Sequence, residues 1–291
     1  MSTRTLISPA QLARPRAKAL YWVVFAVVVG GFTLAFLGPL YWMVSSGFKD
    51  TQEVVQTPPT LVPESFAPEN YSRAWEVMDL STLLFNTLYY ALGALAFQLV
   101  LDVAAAYSLS KLRPVFGKAV LGMMLATLMI PATVLVVPQY LTVLDLPIFE
   151  RNLLNSPWVI WLPSVTNAFN IFLLKRFFDS IPKELLDAAS IDGASPTRIL
   201  WSIVLPISRP ILGVVSIFAV VGVWKDFLWP MLTLPDPAGQ TLNVGIYSLS
   251  NGVPVNVLIA ALTIASVPTL LIFLVFQRNI MSGLTAGGLK G

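Results

Sequence analysis

Three ionisable residues, Asp102, Lys225 and Asp226, stand in stretches of the 291-residue chain that are otherwise almost wholly apolar. A charge held in the middle of a bilayer costs a few kcal/mol or more, so such residues face a water-filled path, a partner or a bound solute. Lys225 and Asp226 belong to the run GVWKDFLWP, from Gly222 to Pro230, with Trp224, Phe227 and Trp229 beside them. Flat apolar rings next to hydrogen-bonding groups are the combination that holds a sugar. The rings cover its C–H faces and the polar side chains take its hydroxyls. The same aromatics would suit the interfacial belt of a membrane protein, and Trp229 fits that belt at least as well. Neighbours on a helix point about 100° apart, so Lys225 and Asp226 each need a partner or water of their own. Asp102 pairs with Lys225 only if the folded bundle brings the two together. Asp102, Trp224, Lys225, Asp226 and Phe227 are therefore the candidates for a translocation path.

Other chemistry is excluded by residues the chain lacks. It has no cysteine and no histidine. Disulfides, thiolate nucleophiles, zinc clusters and imidazole acid–base catalysis go with them. An enzyme in the membrane would need a carboxylate pair or a Ser–Lys dyad, and the spacing places neither. There is no G-x-x-x-x-G-K-[ST] loop, so if ATP drives this protein another chain binds it. No cofactor and no metal are expected.

The elements that must position these residues follow from composition. Hydrophobic residues make up 56% of the chain and charged residues 11%, against about 25% charged in an average soluble domain. So little polar surface implies an all-α integral membrane protein, because runs this long and apolar are too uniform for barrel strands. Residues 1–18 are polar and basic. The first span covers 19–48, far too long for a signal-peptide core, and so reads as retained. An acidic, proline-rich outer loop follows at 49–82. Further spans are expected near 83–110, 118–142, 156–177, 209–231 and 255–277, about six helices in all, each near the ~20 residues a bilayer needs. The core is thus 83–277, with a polar loop at 178–209 and a tail at 278–291. Of the 18 Lys and Arg, 14 flank one side, leaving Lys49, Arg73 and Arg151 opposite and Lys225 within a span. The positive-inside rule puts both termini and the 178–209 loop in the cytoplasm.

That loop, IPKELLDAASIDGASPTRILWSIVLPISRP from Ile181 to Pro210, reads as helix, tight turn, helix. Pro182 fits a first helical turn and Glu184 the positive end of the dipole. Gly193 can take the left-handed conformation that ends a helix. Ser195 then serves as N-cap and Pro196 as the next N1 residue. Pro206 and Pro210 stop or kink the second helix. Glu184 and Asp187 share a face with Ala188 and Ile191, an apolar knob with a charged rim. A helix-turn-helix of this size can bind DNA, but apolar runs on both sides put this one at a membrane face, so no nucleic acid is expected.

The run DAASIDG, Asp187 to Gly193, followed by IVLP, Ile203 to Pro206, resembles the cytoplasmic EAA loop of ABC-transporter permeases. Ala188, Ala189, Gly193, Ile203, Leu205 and Pro206 fit its spacing. Asp187 stands where the motif has Glu, and Glu184 lies three residues earlier, so either acid can do the family's work. The tail GLTAGGLKG resembles that of maltose-type sugar permeases, and GVWKDFLWP looks like a stretch of sugar permeases in which Asn commonly occupies the place of Lys225. The resemblance implies a type I ABC importer permease fold in the cell membrane, translocating a sugar or oligosaccharide without chemical change. It implies a second, homologous permease, two cytoplasmic ATPase subunits that bind the ATP, and an external solute-binding protein. The ATPase-coupling residues would be Glu184, Asp187, Ala188, Ala189, Asp192, Gly193 and Ala194. The loop at 232–254 would reach into the binding protein or be a plain connector. Two rivals stand beside this reading. The same scaffold could import glycerol phosphate or another small solute, which Lys225 would favour. An ion-coupled secondary transporter could use Asp102 and Asp226 as a relay, against which the missing internal repeat counts.

Overall fold

The computed structural model describes residues 14–147 and 151–288, those from 278 onward as backbone alone. Most of the basic N-terminal segment and the last three residues of the tail, Lys290 among them, lie outside the described residues. The chain forms two compact units, one comprising the residues up to Ala74 with Val253–Thr263, the other Trp75–Gly252 with the residues from Ile264 onward.

In the first unit, helix α1 runs from Pro15 to Gly47 over 33 residues, with proline in its first turn. At 1.5 Å per residue it is about 50 Å long, more than a hydrocarbon core of about 30 Å requires. Its apolar side chains, Phe25, Phe32 and Leu34 among them, point outward all round. The 49–74 segment beyond it is ordered by polar side chains. Asp50 caps the turn Thr51–Val55 by accepting the Glu53 N–H at 2.8 Å. Asn70 donates to the carbonyls of Gly47 and Lys49 at 3.0 and 2.8 Å, and Asn256 donates to Lys49 O and Asn70 Oδ1 at 3.2 and 3.1 Å. Buried Lys49 gives its ammonium to Thr60 O at 2.5 Å and lies over the Trp42 ring. Paired amides and a satisfied ammonium make such burial tolerable, since an unpaired buried polar group costs 1–3 kcal/mol or so.

In the second unit, α2 (Leu80–Tyr107) is the central helix and continues as a π-turn through Ser108–Leu112. Helices α3 (Gly117–Thr127), α4 (Ala132–Leu144), α5 (Ala168–Asp179), α6 (Lys183–Ile191) and α7 (Arg209–Lys225) follow, and α8 (Val255–Gly288) begins in the first unit and continues into this one. Helix α2 packs on α7 and α5. The core there is Val103, Ala106, Ile171, Leu174, Phe178, Val214 and Val215. Ala91, Ala94 and Ala106 are fully buried. Small residues let backbones approach closely, and that packing is what holds helices together where lipid tails are as apolar as leucine.

The expected spans differ in their continuity. Among the described residues three helices are long and apolar enough to cross a bilayer, Pro15–Gly47, Leu80–Leu112 and Val255–Gln277, and two bent pairs raise the number to five. The 118–142 stretch is such a pair, with α3 and α4 at 101°. Proline disfavours helix in the residue before it, and Pro131 opens α4 as its N-cap. The 156–177 stretch divides into Trp158–Ser164, which contains Pro163, and α5, which Asn167 begins by accepting the N–H groups of Phe169 and Asn170 at 3.0 and 3.1 Å. The 209–231 stretch stops at Lys225, where Asp226 is extended at ψ 132°, and a separate turn, Leu228–Thr233, carries Pro230.

Candidate translocation cleft and coupling loop

The breaks in the helices create the polar site. A cleft of about 240 Å³ opens where α2, the break before α5, and the end of α7 meet. Helix α7 offers Phe218, Ala219, Gly222 and Val223 from one face, the i, i+1, i+4, i+5 pattern of a helical stripe. Asp226 follows at the point where the helix ends, and Trp229 and Pro230 close that side. Gln98 comes from α2, Asn170 from α5, and Ser164, Thr166 and Asn167 from the break. The Trp229 indole N–H donates to Val159 O at 2.9 Å, which fixes the ring.

Asp102 lies behind this lining, fully buried. Its Oδ1 accepts the Asn167 N–H at 3.0 Å. The carboxylate therefore holds in place the loop whose next residues wall the cleft. The arrangement offers one carboxylate, amides able both to donate and to accept, hydroxyls, and two aromatic rings. No cationic side chain is among the residues lining the cleft.

The five candidate path residues separate. Asp226 lines the cleft and Asp102 supports it. Trp224 is buried elsewhere, with its carbonyl accepting from Asn243 Nδ2 at 2.9 Å. Phe227 meets Tyr247 edge-on, ring centroids 5.2 Å apart. Lys225, the last residue of α7, is exposed and lines no part of the cleft. Nor does it pair with Asp102: the ion pair among the described residues joins Lys175 to Asp179. The α7 helix ends between Lys225 and Asp226, and the change of backbone direction sends the two neighbours into different surroundings. Trp229 belongs to the cleft wall, where the belt or plain packing was the favoured expectation. Gln98, Asn167 and Asn170 were missed by attention to charge. Their signal was an amide in an apolar run, which also needs a partner within a membrane.

The 178–209 loop folds locally as its residues dictate. Helix α6 ends in a Schellman motif. Gly193 takes φ +79°, its N–H reaches Ser190 O at 3.0 Å, and the Ala194 N–H reaches Ala189 O at 2.9 Å. Ser195 Oγ then accepts the Arg198 N–H at 3.3 Å, and Pro196 opens the next helical turn. The Tyr107 hydroxyl donates to Pro196 O at 2.9 Å and ties the loop to α2. Beyond a π-turn at Leu200–Val204, the chain bends by 83° at Ser208, between Pro206 and Pro210. Glu184, Asp187, Ala188 and Ile191 all face outward, Ile191 with 86% of its surface exposed. Ala189 and Ala194 turn partly onto the core and, with Asp192 and Arg198, line a hollow of about 210 Å³.

Residues 98–285, which hold both the cleft and this loop, match the family of binding-protein-dependent transport system inner membrane components. The chain is 34% identical over 259 residues to the sulfoquinovosyl glycerol transport system permease protein SmoH of Agrobacterium fabrum, covering 88% of this chain and 89% of that one. It is 30% identical over 261 residues to the sn-glycerol-3-phosphate transport system permease protein UgpE of Yersinia enterocolitica, covering 86% and 91%. Its fold resembles a chain in the crystal structure of a bacterial ABC transporter involved in the import of the acidic polysaccharide alginate, with a TM-score of 0.80, 24% identity, and coverage of 91% of this chain and 98% of that chain. By sequence along most of its length and by helical architecture, the chain belongs to the family of binding-protein-dependent transport system inner membrane components.

Proposed function

We propose that this chain is one of two related membrane-spanning subunits of an ATP-driven importer, and that its cargo is a sugar or oligosaccharide. The observation that carries the cargo is the cleft: Asp226, Gln98, Asn167 and Asn170 stand beside Trp229 and Phe218, with no cation among them. Amides and a carboxylate take hydroxyl groups in both senses, and the rings cover the C–H faces. A glycerol phosphate would bring a phosphate to a wall whose one charge is negative. Lys225, which favoured that rival in the sequence, is exposed outside the cleft.

ATP is bound and hydrolysed on a separate pair of subunits in this reading, docked on the exposed face of α6. Their closure moves the short helix as a lever, which the Schellman turn and the Tyr107 tie keep stiff. A solute-binding protein delivers the sugar from outside, and both termini lie in the cytoplasm. An uptake assay of the whole transporter in proteoliposomes, with neutral saccharides competing against sn-glycerol 3-phosphate, tests the cargo. Uptake of the saccharide, undiminished by the phosphate ester, is expected. Preferential uptake of the phosphate ester would overturn the assignment.

A further inference from the structure

A second cleft, of about 550 Å³, lies at the far end of α2 from Leu80 and takes no part in the reading above. It is walled by the π-turn and loop after α2, the first turns of α3, and the end of α5. Arg113, Lys118 and Lys175 line it, and Asp179 is the one carboxylate there. That carboxylate is already engaged. Oδ2 pairs with Lys175 at 2.7 Å and Oδ1 accepts from Ser110 at 2.7 Å. Arg113, which lines the cleft, spends its Nε on Ser110 O at 3.1 Å. Lys118 sits in the first turn of the 11-residue α3, at the positive end of its dipole. The cleft therefore has a net positive charge and an array of donors.

Its other features are apolar. Leu109, Pro114 and Leu121 share the lining. Val115, part of that lining, is 95% exposed, and the next residue, Phe116, is 76% exposed. An aliphatic and an aromatic side chain held out beside two unpaired cations, at the end of a helix long enough to cross a bilayer, match the boundary between acyl chains and headgroups. A free phosphate would have no use for the apolar wall or for the projecting pair.

We propose that the Arg113–Lys118–Lys175 cleft binds the phosphate of an anionic phospholipid, with Val115 and Phe116 set among its acyl chains. Basic pockets between membrane helices hold such headgroups by charge and multiple donors, and each positive charge near the surface strengthens the attraction about fivefold. The headgroup would bridge α3 and α5, which already pack against each other.

The test uses the whole transporter, purified with its partner subunits and examined by native mass spectrometry after titration with phosphatidylglycerol. The wild-type complex is expected to retain phosphatidylglycerol in preference to phosphatidylcholine. Lys118→Gln should weaken this about fivefold, and Arg113→Gln with Lys118→Gln by more. Phe116→Ser, which leaves every charge, should also weaken retention. Equal retention of the two lipids by the wild type would overturn the proposal. So would displacement of the lipid by equimolar inorganic phosphate, which would mark the cleft as a site for the free anion. So would loss of the ATPase subunits from Lys118→Gln with lipid retention unchanged, which would make this face a subunit contact.

Discussion

The Ala194 N–H donates to the Ala189 carbonyl at 2.9 Å across a glycine at φ +79°. Together with the Gly193 N–H to Ser190 O bond, it closes α6 and sets the direction in which the second short helix leaves. Nothing lies within 4 Å of where a Gly193 side chain would begin, so the constraint there is conformational, not steric crowding by neighbours. An L-residue in the left-handed region costs about 1–2 kcal/mol, more when branched at Cβ. Gly193→Val is therefore expected to leave the protein in the membrane, weaken co-purification of the ATPase subunits and abolish uptake. Gly193→Asn, which tolerates this conformation, should retain most activity. A valine variant that holds its ATPases and transports at the normal rate would make the loop a passive connector.

The cleft makes a separate demand on Asp226. Asp226→Leu removes the one charge in the lining while keeping its bulk, so uptake should fall by about tenfold or more, the effect of unpairing even one buried hydrogen-bonded group. Assembly with the ATPase subunits should be unchanged. The same substitution at Asp102 should lower the yield of folded protein instead, because the Asn167 N–H would lose its acceptor. Normal uptake by Asp226→Leu at normal expression would remove Asp226 from the path.

Glu53 makes the 49–74 segment sensitive to acid. It is 6% exposed and accepts from the Thr60 and Ser65 hydroxyls and from the N–H groups of Glu64 and Ser65. Burial pushes its pKa up, but those four donors prevail and bring it down to about 2, from an ordinary 4.5. A carboxylate with a depressed pKa stabilises the fold above its unfolded value and stops doing so as it is protonated. The segment should thus hold at pH 5 and above and loosen as pH falls from 4.5 toward 2. Hydrogen exchange at Glu64 and Ser65 reads this directly. Glu53→Gln should raise exchange at neutral pH and remove most of the dependence; an identical profile in the variant would assign the effect to other groups.

Sidedness is testable because the chain contains no native cysteine. A cysteine at Glu64 should react with a membrane-impermeant reagent in intact cells, and one at Asp192 only after permeabilisation. Labelling of position 192 in intact cells would reverse the orientation and separate α6 from any cytoplasmic ATPase.

The sequence alone determined what depends on neighbours a few residues apart. The apolar runs announced a helical membrane protein. Gly193, Ser195 and Pro196 specified a turn whose hydrogen bonds span three to five residues, and Pro206 and Pro210 bracketed a bend that occurs between them. What tertiary structure decided is what depends on residues far apart. Gln98, Asn170 and Asp226 share a cleft only because α2, α5 and α7 pack together, and no local rule relates them. Hydropathy, being an average, passed over the breaks at 164–168 and after Lys225. Those breaks separate Lys225 from Asp226 and give Asp102 a backbone N–H as its partner in place of a lysine. A helix can be read from its own residues, but a site requires knowing which helices meet and where each one stops.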